Sequence, residues 1–203
     1  FQRALAYFNL LRYFGEFYDM NSANGVVLRT TFSTVLEAQA RNTVREVYNQ
    51  IEEDLLYGSE NGPQYVEHFY SGKLASKALL CKVYLYEGKY NQASTLADEV
   101  IFNDEGYYLE FQYDAIFKNS FNSSEVIFAP FTGPDNEGKT NMVQVSRTNY
   151  SQTLKNLADQ QVGTDDDGSL DGSGEGFDPR FQFAYSDDTK KSNSNGKYPF
   201  LDN

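Results

Sequence analysis

The sequence predicts a mainly α-helical fold: an array of helical hairpins with loop-rich, irregular segments and a few short strands. Three observations carry that expectation. Apolar residues recur at helical spacing in four stretches between Phe1 and Ile101, and the last two of these stretches are hinged at Gly88. Beyond Asn103 the helical period is lost, and Gly, Asn, Asp and Ser take over.

Phe1 to Phe14 places Ala4, Leu5, Phe8, Leu11 and Phe14 on an apolar stripe, with Gln2, Asn9 and Arg12 on another face. A loop rich in Asn, Gly and Thr follows, from Gly15 to about Phe32. Thr34 with Glu37, and Thr43 with Glu46, have capping-box spacing. After the second box Val44, Val47, Tyr48, Ile51 and Leu55 run at i, i+3, i+4, i+7 and i+11, which predicts a helix ending near Tyr57 and Gly58. Gly58 to Gly72 reads as a loop carrying Pro63 and His68.

Ser76 to Ile101 reads as two amphipathic arms hinged at Gly88. The first arm offers Ala78, Cys81, Tyr84 and Leu85, the second Ala93, Leu96, Ala97, Val100 and Ile101. Gly88, Tyr90 and Ala93 fall where a tetratricopeptide-type hairpin wants a turn glycine, a packing aromatic and a small contact residue. Cys81 and Ala97 are small for the same reason, so Cys81 reads as a buried structural residue. The expected fold is therefore tetratricopeptide-like.

After Asn103 the expected elements are short. Tyr107 to Glu110 is extended, Tyr113 to Phe117 a helical turn, and Glu125 to Phe131 a buried strand stopped at Pro130. A helix is expected over 151–161, a flexible acidic loop over 163–176, an edge strand over Phe181, Phe183 and Tyr185, and a loop over 190–203. Residues 1–126 form the expected helical scaffold, and 127–203 a loop-rich ligand-face segment of the same domain.

The 203 residues carry 17 basic and 29 acidic side chains, a formal net charge of −12, which argues against nucleic acid or an anionic membrane surface as partner. No apolar run approaches the ~20 residues needed to span a bilayer. A single cysteine and a single histidine, His68, set in no nucleophile motif, give no catalytic triad. His68 reads as a loop or interface residue. Abundant carboxylates on an acidic chain are no acid/base signal, so a hydrolase is disfavoured.

Two segments could bind small partners. Asp167 to Asp178 puts oxygen-bearing side chains at positions 1, 3, 5, 9 and 12 of a calcium-loop pattern, with Gly172 at position 6. Asp178 replaces the usual bidentate glutamate, and Gly174 stands where a hydrophobic anchor belongs. Asp167, Asp171, Glu175 and Asp178 are thus candidate metal ligands of weak affinity, and otherwise part of a solvated loop. Sugar recognition needs flat aromatic faces and short polar side chains; Asn141, Arg147, Asn149 and Tyr150 supply that mix, as does the stretch from Phe17 to Asn21.

Five runs in order resemble the SusD/RagB family, surface lipoproteins of Bacteroidetes that bind nutrients beside an outer-membrane transporter. They are RALAYFNLLRYFG over 3–15, VYNQIEEDL over 47–55, ALLCKVYLY over 78–86 with KYNQA over 89–93, SEVIFA over 124–129, and DPR over 178–180. The resemblance implies a non-catalytic protein that binds oligosaccharide for a SusC-like, TonB-dependent transporter, held at the cell surface by a lipid anchor absent from this chain. It also favours 141–150 as ligand-facing, because loops beyond the SEVIFA-type strand often line the family's ligand face. Since Phe1 opens in mid-helix, the chain is expected to be an internal piece, with a leader and lipid-bearing cysteine upstream and a further helix pair downstream. Some family members bind peptides, and a tetratricopeptide-type adaptor holding a partner peptide is the alternative from a different class. The adaptor accounts for Tyr84, Gly88 and Ala93, but not for 124–129 or 178–180.

Overall fold

The computed structural model describes residues 1–32, 34, 38–64, 67–119, 122–130 and 153. It contains α1 (Gln2–Phe14), α2 (Val44–Asn61), α3 (Lys73–Tyr86), α4 (Tyr90–Ile101) and α5 (Tyr113–Asn119). The chain divides into two compact units, one formed by Phe1–Tyr108 with Val126–Pro130, the other by Leu109–Glu125 and Phe131–Asn203. The mainly helical, tetratricopeptide-like expectation holds.

In the first unit each of α1 to α4 packs on the next in chain order. The α2 stripe is buried as expected: Val44, Val47, Tyr48, Ile51 and Leu55 are all fully covered. They meet Ala4, Phe8 and Leu11 of α1 and Leu80 and Val83 of α3 in one core. Each aliphatic side chain so buried stabilises the fold by roughly 1.5–3 kcal/mol relative to exposure. Both halves of the Thr43–Glu46 capping box form, with the Glu46 amide donating to Thr43 Oγ1 at 3.2 Å and the Thr43 amide to Glu46 Oε2 at 2.8 Å.

The long α1–α2 connection is pinned by side chains rather than by a sheet. Tyr7, whose burial the stripe did not anticipate, donates its hydroxyl to the Arg29 carbonyl (2.9 Å) and accepts the Arg29 amide (2.6 Å). Asn42 accepts the Leu28 amide at 2.9 Å, and Arg41 donates to the Phe14 carbonyl at 2.8 Å. Phe14 itself, expected on the buried stripe, is exposed because α1 ends there and the chain turns away at Gly15.

α2 runs past Gly58 to Asn61. A Cβ at Gly58 would lie 2.6 Å from Ser76 Oγ, so this glycine lets α3 approach and does not stop the helix. Gly88 does serve as the hairpin turn, with φ of +76°. The Gly88 amide donates to the Leu85 carbonyl (3.2 Å) and the Lys89 amide to that of Tyr84 (2.9 Å), which closes α3 in a Schellman motif. Across the hairpin Cys81 Sγ donates to the Ala93 carbonyl at 3.2 Å, and Ala93 is buried. The expected stripes are only partly covered: Leu85 and Ile101 are exposed, because α3 turns Leu80 and Val83 to the core and Cys81 to α4.

Residues 125–130 form no strand; among the described residues none is present. Val126 to Ala129 lie half-buried against the first unit, with the Ala129 amide donating to the His68 carbonyl at 2.8 Å and the Phe128 ring 4.9 Å from that of Phe1. A segment tied by isolated bonds needs no ladder to stay covered.

In the second unit α5 covers the expected turn at 113–117, and the Glu110 carboxylate gathers Ser123 Oγ (2.9 Å) and the Ser124 amide (3.1 Å). Glu37 of the Thr34–Glu37 box, the 163–176 loop and the 181–185 strand lie outside the described residues, as does the 151–161 helix apart from Thr153, which is helical.

Candidate functional site

The sequence-predicted ligand residues Asn141, Arg147, Asn149 and Tyr150, and the metal candidates Asp167, Asp171, Glu175 and Asp178, lie outside the described residues. Within the first unit two polar features stand out, one open and one buried.

The open one is a hollow of about 360 Å³ lined by Phe1, Arg3, Glu53, Asp54 and Tyr57. Arg3 Nε and Nη2 grip Asp54 Oδ2 and Oδ1 at 2.7 and 2.5 Å, and Gln50 Nε2 adds a bond to Oδ1 at 3.2 Å. The hydrogen bonds to Asp54 raise the guanidinium pKa further. Since the fork and the Asp54 carboxylate satisfy each other, the hollow offers a ligand the exposed Tyr57 ring and the exposed Glu53 carboxylate.

The buried feature sits where the α3–α4 turn meets α2. Glu87 follows α3 directly, and its side chain is 1% exposed. Lys89 Nζ stands 3.2 Å from Glu87 Oε1 and 2.6 Å from Glu52 Oε1 of α2, and lies 5.2 Å from the centroid of the Tyr84 ring. Burial first, then the Glu52 charge, push the Glu87 carboxyl up to about 7, although Lys89 pulls the other way. The negative end of the α3 dipole disfavours a carboxylate at this point as well. For Lys89, burial opposes the charge, but the bond to Glu52 and the attraction of the Glu87 carboxylate outweigh it and raise its pKa. Tyr48 donates to the Phe17 carbonyl at 3.2 Å, and burial raises its phenol pKa. Sequence reading missed this cluster. Its one local signal was an acid and a lysine flanking the turn glycine, and Glu52 arrives from another helix.

No group of three or more metal-ligating side chains occurs among the described residues. Cys81 is held in the hairpin with its thiol pushed up by burial, and His68, in a turn, has its Nδ1 engaged with the Val126 carbonyl. No described helix is long and apolar enough to cross a membrane. Fold and side chains together define a helical-hairpin scaffold protein.

Comparison with known proteins narrows that class. Residues 1–85 match the family SusD-like_3, described as starch-binding associating with outer membrane. A SusD superfamily protein of Bacteroides thetaiotaomicron is 31% identical with a TM-score of 0.58, over 64% of this chain and 29% of its own. A candidate sugar binding protein of Bacteroides vulgatus is 35% identical with a TM-score of 0.54, over 62% and 30%. A SusD-like protein of Bacteroides fragilis is 28% identical with a TM-score of 0.52, over 66% and 26%. No curated protein matches. The scaffold resembles that of SusD superfamily proteins over about two thirds of this chain, and the chain spans under a third of the length of these solved structures.

Proposed function

We propose that the intact protein captures an oligosaccharide at the surface of the outer membrane and passes it, uncleaved, to a SusC-like, TonB-dependent transporter, with a lipid anchor holding it in place. The match of residues 1–85 to a starch-binding, outer-membrane-associating family carries this reading. The likeness to the candidate sugar binding protein, at 35% identity, supports it. Residues 1–126 act as the rigid scaffold, and 127–203 supply the ligand face. Tyr150 stacks on a sugar ring, while Asn141, Arg147 and Asn149 bond hydroxyls. The acidic loop of Asp167, Asp171, Glu175 and Asp178 binds calcium weakly at most, because it lacks the anchoring hydrophobe and the bidentate glutamate.

A glycan array followed by calorimetry of wild type and Tyr150→Ala tests the reading. Loss of one stacking contact, about 0.5–1.5 kcal/mol beyond area, weakens binding roughly three- to tenfold. Unchanged affinity in the variant moves the site elsewhere. Accumulating reducing ends overturns the non-catalytic assignment, and binding of peptides in place of any glycan overturns the ligand class. For calcium, a micromolar affinity abolished by Asp167→Ala would show a true site.

A further inference from the structure

We propose that Glu52, Glu87 and Lys89 form a proton-operated latch on the α3–α4 turn, closed while the two carboxyl groups share one proton and loosened when that proton leaves. The inference rests on where these groups sit. Two carboxyl groups and one ammonium are brought together by elements far apart in the chain, and the Glu87 side chain is 1% exposed. Neither Glu87 oxygen has a hydrogen-bond partner of good geometry among the described residues. Lys89, 3.2 Å away, is drawn instead to Glu52 at 2.6 Å. A buried carboxylate in that position is costly unless it is neutralised.

With one proton shared, the cluster holds one carboxylate and one ammonium and is neutral. When the proton passes to solvent base, two carboxylates face a single cation, and one negative charge is left buried beside the end of α3. Two carboxyl groups at close quarters do not both ionise readily. The other groups around the cluster do not compensate. Tyr48 of α2 and Tyr84 of α3 stay neutral, their phenols raised chiefly by burial. Tyr86 of α3 lies under the Arg12 guanidinium of α1, 5.3 Å from its ring centroid. Relief comes from turning Glu87 out to water, which strains the turn closed by the Gly88 and Lys89 amides.

The test is a carbon-13 carboxyl titration of the intact protein, with the Glu87 resonance assigned by Glu87→Gln, alongside hydrogen exchange of the Gly88 and Lys89 amides. The expected Glu87 midpoint is about 7. Between the ordinary carboxylate range and this midpoint, the opening of the two amides, corrected for the intrinsic rise in exchange, increases up to about tenfold per pH unit, because opening there releases one proton, and it levels off above the midpoint. Glu87→Gln flattens that dependence, and Glu52→Gln shifts the midpoint downward. A Glu87 midpoint in the ordinary carboxylate range overturns the proposal, as does amide opening that ignores pH or that follows pH equally in Glu87→Gln. If the Gln variant fails to fold, the wild-type protein decides, through the one carboxyl midpoint that falls near neutrality and the opening that tracks it.

Discussion

Gly58→Ala in the intact protein separates two readings of one glycine. By helix propensity alone the change should help, since an interior helical glycine is about 0.8–1.0 kcal/mol worse than alanine, and α2 continues to Asn61. Packing says otherwise. The new Cβ would meet Ser76 Oγ at 2.6 Å and Ser76 Cβ at 3.3 Å. Ser76 is 1% exposed, and its hydroxyl donates to the Gly72 carbonyl at 3.2 Å. Rotating the hydroxyl aside gives up a hydrogen bond of about 0.5–1.5 kcal/mol, while forcing the helices apart costs about 1–3 kcal/mol. Set against the propensity gain, the net expectation runs from near neutral to a loss of ~2 kcal/mol. In a Ser76→Ala background the nearest obstacle is gone, and Gly58→Ala becomes neutral or stabilising. A denaturant double-mutant cycle followed by circular dichroism should therefore show coupling of ~1–3 kcal/mol between the sites. Stabilisation by Gly58→Ala alone, or additivity within about 0.5 kcal/mol, would refute the close approach of α2 and α3.

Other substitutions probe the remaining inferences. Thr43→Ala removes the capping box and should lower stability by about 1 kcal/mol in denaturant melts. Because the bonds from Thr43 hold the Glu46 carboxylate below its ordinary pKa, the box contributes above that ordinary range and is lost as pH falls through the lowered value. Phe8→Ala should cost ~3–5 kcal/mol, whereas Phe14→Ala, at 65% exposure, should stay within about 0.5 kcal/mol; equal losses would contradict the face that α1 presents to the core. Lys89→Met removes the cation that lowers the Glu87 midpoint, so the carboxyl should titrate at still higher pH. Because a raised carboxyl pKa contributes stability that is lost as pH rises through it, this variant should keep that contribution to a higher pH than wild type, and an unmoved carboxyl midpoint would rule out the pairing.

How much of this was legible in the sequence depends on how local each signal is. The start and the buried face of α2 were legible because its box and its five apolar positions all lie within one element, and a single face suffices to bury them. A helix inside an array has neighbours on two sides, and there a one-stripe reading fails. In α3 the residues at the core, Leu80 and Val83, differ from the one that reaches α4, Cys81, and Leu85 on the expected stripe is exposed. Gly58 misled for a related reason: a glycine that ends a helix and one that admits a neighbour look alike until the neighbour is known. Glu87 depends on residues far away in the chain, since a glutamate beside a turn glycine reads as a solvated cap until Glu52 and the covering rings are in place. The proposed ligand loop at 141–150 has the opposite difficulty. Its aromatic and amide side chains fit the chemistry of sugars, but chemistry without periodicity carries no geometry, so its composition suggests a ligand class while the binding experiment must supply the site.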